Sequence, residues 1–339
     1  MGVTIKDVAA AAGTSVSTVS KVLSGHYSIS EQTCERVKRV MKELNYYPNA
    51  NAQNFARGST HTVAFLAALD KNAAFNNPHM FEILAGAEAI LRRRGFSLTV
   101  RGTDTTQACE VAENIISRHS ADGIIIHASI LSRPLAALLT RNHFPHIVLG
   151  LPNFESQVCW IDINNVFSGV TAATHLLEQG YRKIAFIGGR EYDMISTHRL
   201  EGVKQGLKNA GHAIDERHIW LGDSTSQEGY RMAKQLLSIR DMPDAVICAN
   251  NYIAFGCVSA AQELQLRIPR DIGIMTFDNY PFSEMTNPQL TVVDIDVRNM
   301  GEEAGRLLLE HMGNTNFQVQ TYTTKSELIV RASTQRRKR

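Results

Sequence analysis

Apolar residues at helical spacing form short stripes along the first part of the chain. The first stripe recurs every three or four positions and consists of Ile5, Val8, Ala9 and Ala12. Similar stripes follow Ser15 and Ser30, two residues of a type that favours helix N-termini. Thr4 and Asp7 have the spacing of a capping box. The pattern predicts three amphipathic helices, the first two joined by a tight turn at Gly13, which is a helix-turn-helix.

The second of these helices carries a distinctive solvent face. It bears three hydroxyls and one cation without any acid, namely Ser17, Thr18, Ser20 and Lys21. Short side chains let a helix backbone come close to DNA, and hydroxyls can contact base edges or phosphates. The face is therefore typical of a DNA-contacting helix, although an ordinary polar face of a small helical bundle has the same composition.

From Thr62 onwards, short β-rich runs alternate with helical stripes. The predicted strands are Val63–Leu69, Leu98–Arg101, Gly123–His127, His146–Gly150, Lys183–Gly188, Ala245–Ala249, Ile272–Phe277, Thr291–Ile295 and Tyr322–Val330. Predicted helices between them include Met80–Arg94, Phe167–Gln179, Arg199–Asn209, Gly229–Leu237 and Gly301–Met312. Alternating β and α elements predict parallel sheets covered by helices on both faces. About 270 residues of this pattern exceed one open sheet, so we expect two lobes, with ligands at the carboxyl ends of the strands.

Charge is distributed unevenly along the 339 residues, although the net charge is only +2. Residues 1–60 hold seven Lys and Arg against four Asp and Glu, and residues 331–339 hold five Lys and Arg with no acid. Two basic ends around an acidic middle favour a polyanionic partner. The five cysteines are scattered without metal-binding spacing, which is typical of a reducing compartment. No apolar run is long enough to span a membrane, and the N-terminus lacks a signal-peptide pattern. We therefore predict a cytoplasmic protein without membrane contact.

Motifs of the common enzyme classes are missing from the sequence. It contains no phosphate loop, dinucleotide fingerprint, zinc-protease motif or nucleophile elbow. His143 and His146 have metal-like spacing, but Pro145 between them disfavours a shared metal ion. We predict no enzymatic activity, no cofactor and no metal. A non-regulatory sugar-binding protein would share the two lobes, but it would need a signal peptide and has no use for a helix-turn-helix.

The order and spacing of many residues resemble the lactose-repressor (LacI/GalR) family of bacterial transcriptional regulators. In the head, these are the runs at residues 4–9, 12–13, 15–23, 35–37, 43–46 and 48–50. In the body, they include 77–78, 94–96, 121–125, 180–185, 199–202, 277–278 and 287–291. The resemblance thus covers nearly the whole chain. It implies an all-α headpiece followed by a two-lobed sensor similar to periplasmic binding proteins.

The resemblance also implies domain boundaries. Residues 1–48 would be the headpiece, 49–61 a hinge helix and linker, and 62–339 the effector-binding and dimerisation domain. Within that domain, the first lobe would comprise about 62–161 and 291–320, and the second lobe about 162–290 and 321–331. Residues 332–339 would form a basic tail.

DNA-contact residues follow from the same resemblance. Val16, Ser17 and Lys21 would contact bases in the major groove, and Thr18 and Ser20 would contact phosphates. The other implied DNA-binding residues are Thr4, Ser15, His26, Asn49, Ala52 and Phe55. Phe55 stands where the family usually has a leucine that wedges between base steps in the minor groove, a role that phenylalanine can also fill. The alternative for Phe55 is a contact within the protein's own dimer.

Effector-contact residues are implied in the cleft between the lobes. They are Phe75, His79, Met80, Asp162, Arg199, Asn250 and Asp278. The alternatives are an inter-lobe or surface ion pair for Arg199 and a turn for Asp278. Two positions depart from the family pattern: Asn251 replaces a common aspartate, and Ser224 replaces a frequent stacking aromatic. If an aromatic stacks on the ligand, Tyr192 or Tyr280 would have to supply it.

A small-molecule effector and operator DNA are the predicted partners. The effector is expected to be a carbohydrate, since the stretch from Phe154 to Asp162 is most similar to regulators of malto-oligosaccharide use; a nucleoside or purine is the alternative. One helix-turn-helix makes few base contacts, so a homodimer on a pseudo-palindromic operator is expected. The family includes regulators that respond to inducers and others that respond to co-repressors. The sequence therefore does not indicate whether the effector lowers or raises the affinity for DNA.

Overall fold

The predicted headpiece helices are present in the structure. The computed structural model describes residues 3–23, 28–46, 59–69, 78–314 and 320–336. The three headpiece helices are α1 (Ile5–Ala11), α2 (Val16–Leu23) and α3 (Glu31–Glu43). Their facing stripes form one apolar core that includes Val8, Val19, Val37 and Val40. The three-helix prediction is therefore confirmed.

Local side-chain contacts explain where α1 and α2 begin. The Asp7 carboxylate accepts the backbone N–H of Thr4 at 2.8 Å, as the predicted capping box requires, and it also accepts the Thr4 hydroxyl at 2.8 Å. These bonds lower the pKa of Asp7. Gly13, with φ +62°, makes the tight turn, and Ser15 Oγ accepts the Thr18 N–H at 3.1 Å. The turn and its cap fix how α2 leaves α1.

A first lobe is built around a six-stranded sheet within the described residues. Its strands are β1 (Thr62–Ala67), β2 (Ser97–Gly102), β3 (Gly123–His127), β4 (His146–Leu149), β5 (Trp160–Ile163) and β11 (Thr321–Thr324). Its helices are α4 (Pro78–Arg93), α5 (Ala108–Ser117), α6 (Arg133–Arg141) and α12 (Val297–Gly313). The strand order is β2-β1-β3-β4-β5-β11, and all pairs are parallel. Apolar cores lie on both faces of the sheet.

The second lobe repeats this plan, again with six strands among the described residues. Its strands are β6 (Ile184–Gly189), β7 (Ile219–Gly222), β8 (Ala245–Cys248), β9 (Gly273–Phe277), β10 (Thr291–Asp294) and β12 (Glu327–Ile329). Its helices are α7 (Asn165–Glu178), α8 (Met194–Asn209), α9 (Ser226–Leu236), α10 (Asn251–Glu263) and the short α11 (Pro281–Met285). The strand order is β7-β6-β8-β9-β10-β12, and only the β10–β12 pair is antiparallel. The prediction of two parallel α/β lobes is confirmed.

The crossovers between lobes differ from the predicted boundaries in two places. The strand at 291–294, predicted in the first lobe, pairs with β9 of the second lobe. The predicted single strand Tyr322–Val330 is two strands, of which β11 pairs with β5 in the first lobe and β12 with β10 in the second. The chain therefore passes between lobes after β5, β10 and β11. Both errors concern strands whose sheet is chosen by long-range pairing and not by local pattern: β10 pairs with β9 and β12, and β11 with β5.

The start of the predicted basic tail is not a free tail. Ser333 and Thr334 are fully buried in the second lobe. Ser333 Oγ donates to the Ile274 carbonyl at 2.6 Å and accepts the Thr291 N–H at 2.8 Å. The Thr334 hydroxyl lies 2.8 Å from His175 Nε2 and 2.7 Å from Thr291 Oγ1. These hydrogen bonds hold the segment after β12 in the lobe.

A carboxylate holds the segment that leads into β1. Asp122 accepts hydrogen bonds from the Thr60 and His61 backbone N–H groups and from the Ser59 and Thr60 hydroxyls, at 2.6–3.0 Å. These four hydrogen bonds attach residues 59–61, the end of the predicted linker, to the first lobe.

Candidate functional site

The exposed face of α2 is the first candidate site. Val19 and Val22 face the headpiece core, whereas Ser17, Ser20 and Lys21 are exposed. Val16 is 41% exposed, so its apolar side chain also lies on this face. An apolar contact of this kind suits a thymine methyl group, and the hydroxyls and the cation suit base edges and phosphates. The exposed side chains of this face thus have the chemistry that DNA contacts need.

Not every predicted DNA contact can be located. Thr4, Ser15 and Thr18 lie at the N-termini of α1 and α2, and Thr4 and Ser15 are exposed while Thr18 is half-buried. The remaining predicted residues, His26, Asn49, Ala52 and Phe55, lie outside the described residues. The roles of all these residues in DNA binding stay predictions.

A cavity of about 680 Å³ between the two lobes is the second candidate site. Its walls come from the carboxyl ends of strands in both sheets, where open α/β sheets bind ligands. Six of the predicted effector residues line this one cavity: His79, Met80, Asp162, Arg199, Asn250 and Asp278. Tyr192, Ser224 and Tyr280 also line it, and Tyr192 is 79% exposed. Phe75 lies outside the described residues. The structure thus brings the described candidates together, and their role in binding stays a prediction.

A buried ion pair forms the second-lobe floor of the cavity. Arg199, only 2% exposed, donates from Nη2 to Asp278 Oδ1 at 3.1 Å. It also donates to the Ala249 carbonyl at 2.5 Å and to Asn165 Oδ1 at 3.1 Å, and its guanidinium stacks 4.3 Å from the centre of the Phe277 ring. Arg199 thus forms an ion pair, but a buried one within the second lobe and not the inter-lobe or surface pair of the alternative, and its partner is itself a predicted site residue.

Close helix packing places Arg199 beside Asn165. Helices α7 and α8 cross where Gly169 and Gly202 face each other's backbone. A Cβ on Gly169 would lie 2.1 Å from the Arg199 carbonyl oxygen, and one on Gly202 would lie 2.0 Å from the Val166 carbonyl oxygen. Only glycine permits this approach. The crossing therefore sets the distance between Asn165 and Arg199.

The loop after β9 holds Asp278 in a left-handed conformation, with φ +72°. Aspartate tolerates this region better than most residues, but at a cost in free energy. Asn251 stabilises the loop, since its amide donates to the carbonyls of Phe277 and Asp278, both at 3.0 Å, and accepts from Ser283 Oγ. An aspartate at 251 would lack both donors and would add a second buried carboxylate. The departure at Asn251 thus has a structural explanation.

Electrostatic balance determines the charge state of Asp278. Burial raises the pKa of this carboxyl, but the nearby Arg199 and His79 more than offset the effect, so the pKa lies below its ordinary value. Asp278 is therefore ionised at neutral pH. The burial of Asp162 raises its pKa, although the Ile163 and Leu151 N–H groups donate to its oxygens at 2.7 and 3.0 Å.

The first lobe contributes two imidazoles to the cavity. His79, in the first turn of α4, places Nε2 3.0 Å from Asp278 Oδ2. His127, at the end of β3, lies beside it; burial and the proximity of His79 lower the pKa of His127 to about 4, so it is neutral. The Ser129 N–H donates to His127 Nδ1 at 3.3 Å, which assigns the ring proton to Nε2. His127 therefore has one N–H donor to offer a ligand.

Several cavity residues were missed by the sequence-based prediction. They are Asn165, His127, His198 and Tyr252. His127 carried a usable signal, because a polar residue directly follows three buried isoleucines at a strand's carboxyl end. Asn165 also stands at a boundary, two residues after β5 and at the first position of α7, whereas His198 lies inside α8, where the sequence shows no such signal.

In the part of the chain that the structure describes, no group of three His, Cys, Asp or Glu is arranged to hold a metal ion. None of the helices in this part of the chain has the length and apolarity to span a bilayer.

Comparison with known proteins matches both parts of the chain to described families. Residues 4–49 match the bacterial regulatory proteins of the lacI family, and residues 173–334 match the periplasmic binding protein-like domain. The HTH-type transcriptional repressor PurR of Vibrio vulnificus is 30% identical over 330 residues, covering 97% of each chain. The HTH-type transcriptional regulator MalR of Streptococcus pneumoniae is 30% identical over 313 residues, covering 91% of this chain and 92% of its own.

Solved structures agree with this result. The transcriptional regulator CelR in complex with cellobiose is 29% identical, with a TM-score of 0.73 over 98% of this chain and 99% of its own. The lac repressor dimer bound to operator and the anti-inducer ONPF has a TM-score of 0.85 over 98% and 99% of the two chains, and at 24% identity it supports the fold alone.

A helix-turn-helix headpiece on a two-lobed domain with a polar cleft defines the class of ligand-responsive DNA-binding regulators. The chain belongs to the lacI family of bacterial regulatory proteins. It is a DNA-binding transcriptional regulator, and its relatives are regulators and not enzymes.

Proposed function

We propose that this regulator binds a pseudo-palindromic operator as a homodimer and that an uncharged carbohydrate in the cleft controls its affinity for DNA. The observation that carries the proposal is the Arg199–Asp278 pair, which holds an ionised carboxylate in the second-lobe wall of the cavity, beneath the His79 imidazole. Carboxylates in such a setting accept hydrogen bonds from ligand hydroxyls. The protein would act in the cytoplasm, where its DNA partner is, and would have no enzymatic activity.

The charges of the cavity favour a neutral ligand. Arg199 already donates to three acceptors, so it has little capacity left for a ligand anion. Asp162 and Asp193 also line the cavity, and neither forms a salt bridge among the described residues. A phosphate or carboxylate on the ligand would lie close to these carboxylates in a partly buried site, where repulsion is strong. Sugar phosphates and sugar acids are therefore disfavoured.

Individual residues have distinct proposed roles. Asp278 and Asp162 would accept hydrogen bonds from sugar hydroxyls. Asn250 Oδ1 already accepts the Ile253 N–H at 2.9 Å as the cap of α10, so its amide N–H₂ is left to donate to the ligand. His79 and Met80 would form the first-lobe side of the site. Phe75 is also proposed to contact the effector.

The similar proteins favour a carbohydrate as the effector and a purine as the alternative. The structure named as a complex with cellobiose covers nearly the whole chain, which favours a saccharide. The similarity to repressors named PurR favours a purine as the second candidate, and Tyr252 and Tyr280 at the cavity could stack on a planar base.

The DNA-binding half of the proposal rests on the exposed face of α2. Val16, Ser17 and Lys21 would contact bases, and Thr18 and Ser20 would contact phosphates, with Thr4, Ser15 and His26 nearby. Asn49, Ala52 and Phe55 would contact the minor groove from the hinge. We propose residues 1–48 as the headpiece, 49–61 as the hinge and linker, and the remainder as the sensor.

A thermal-shift screen tests the ligand class. Mono-, di- and oligosaccharides, their phosphates, nucleosides and purines are added to the full chain, and a ligand at 100 times its Kd adds about 2.7 kcal/mol of stability. We expect a neutral saccharide to raise Tm and the matching sugar phosphate to have no effect. Asp278→Asn should abolish the shift, whereas Asp241→Asn, on an exposed carboxylate of the second lobe, should preserve it.

Calorimetric titration of the folded Asp278→Asn protein separates lost binding from lost stability. A shift produced only by purines, or only by anionic sugars, would contradict the proposal. So would saccharide binding by Asp278→Asn with the wild-type Kd.

A further inference from the structure

One side chain connects the two lobes across the cavity. His79 belongs to α4 of the first lobe, and Asp278 and Tyr280 belong to the second. The His79 Nε2 atom lies 3.0 Å from Asp278 Oδ2, and its ring meets the Tyr280 ring edge-on, with centroids 5.1 Å apart and an interplanar angle of 89°. The imidazole, whose side chain is 29% exposed, thus covers a carboxylate that is only 3% exposed.

Two polar groups next to His79, Asp278 Oδ2 and the Tyr280 hydroxyl, lack well-aligned hydrogen bonds. Asp278 Oδ1 is held by Arg199, but Asp278 Oδ2 accepts no well-aligned hydrogen bond from the described residues, despite the short distance to His79. The Tyr280 hydroxyl is also buried, and it too has no hydrogen-bond partner among the described residues. Buried polar groups in this condition are costly, and native proteins usually satisfy them with a partner. One acceptor and one hydroxyl are therefore available at the same end of the cavity.

A ligand hydroxyl could satisfy both groups, because it donates one hydrogen bond and accepts another. It would donate to Asp278 Oδ2 and accept from the Tyr280 hydroxyl. His79 occupies the position that this hydroxyl would take, since the imidazole lies directly against Asp278 Oδ2. The pair between Arg199 and Asp278 Oδ1 need not change, so only one oxygen of the carboxylate has to exchange partners.

We propose that His79 is a lobe-to-lobe latch that the effector displaces from Asp278. In the ligand-free protein the imidazole contacts Oδ2 and joins the lobes. When the effector binds, its hydroxyl takes over Oδ2, the contact between lobes is lost, and the first lobe is released relative to the second. The position of the effector in this proposal rests on the proposed function; the latch contact itself does not.

Hydrogen exchange in the ligand-free full chain tests the latch. His79→Ala should speed amide exchange in residues 277–285 about tenfold, because the loop loses its partner in the first lobe. His79→Gln keeps a polar side chain that can contact Asp278 from the first lobe, so its exchange should stay closer to the wild-type rate than that of His79→Ala. His212→Ala removes an exposed imidazole of the second lobe and should have no effect. Unchanged exchange in His79→Ala would overturn the latch.

Ligand affinity gives the second readout, measured by calorimetry with cellobiose and maltose. In His79→Ala the effector no longer competes with the imidazole for Asp278 Oδ2. This variant should therefore bind whichever of the two sugars is the effector about threefold to tenfold more tightly than the wild type. Weaker binding would overturn the latch and make His79 an ordinary ligand contact. If neither sugar, nor any other saccharide in the screen, binds the wild type, the proposed effector class fails, and the exchange experiment still decides the latch.

Discussion

Replacing Arg199 with methionine is expected to lower the free energy of unfolding by about 3–5 kcal/mol. The substitution leaves the Asp278 carboxylate buried without its cation, and an uncompensated charge in the interior is far more costly than a lost surface pair. It also removes the donors to Asn165 and to the Ala249 carbonyl. Urea denaturation, monitored by circular dichroism, measures the effect.

A double-mutant cycle identifies the cause of this destabilisation. Arg199→Met combined with Asp278→Asn removes both charges, so the double variant should be more stable than Arg199→Met alone. Arg217→Met is the matched control, because Arg217 pairs with Asp215 while its side chain is 72% exposed. Exposed pairs contribute about 0–1 kcal/mol, so the control should change little. A double variant no more stable than the single variant would contradict the account of the buried pair.

Replacing Lys21 with alanine should weaken operator binding at least about 30-fold. A contact from this side chain to a base or phosphate contributes roughly 1–3 kcal/mol, and a dimer loses it twice. Fluorescence anisotropy measures the Kd on an operator selected from random duplexes with the purified wild-type protein.

Lys38→Ala is the control for this measurement, because it removes the same charge from an exposed position on α3. It should change the affinity less than about threefold, as expected from weak long-range electrostatics at physiological salt. Equal losses in the two variants would show that general charge, and not the face of α2, determines binding.

The headpiece was predictable because its determinants are local. The capping box of Thr4 and Asp7, the turn at Gly13 and the apolar stripes each depend on residues within a few positions of one another. The candidate cleft was partly predictable for a related reason. Asp162, Asn250 and Asp278 lie within or directly after strands, and the carboxyl ends of parallel strands meet at one edge.

Features that depend on distant parts of the chain were not predictable. Strand β10 could be recognised from its pattern, but its sheet is decided by pairing with β9 and β12. The contact between His79 and Asp278 joins residues almost 200 positions apart, and neither has a local pattern that indicates the other. At position 251 the sequence showed only that an asparagine replaces a common aspartate. The hydrogen bonds from Asn251 to the Asp278 loop, which explain the asparagine, depend on the folded structure.

The central claim is that a neutral saccharide in the cleft controls binding of the headpiece to DNA. Operator titrations of the full-length protein with and without the saccharide found in the screen test it most directly. We expect the saccharide to change the operator Kd of the wild type by about 5-fold to 150-fold, as is typical of coupling between two sites, and to leave that of Asp278→Asn unchanged. An operator Kd that stays the same at saturating saccharide, with the sugar shown to be bound, would contradict it.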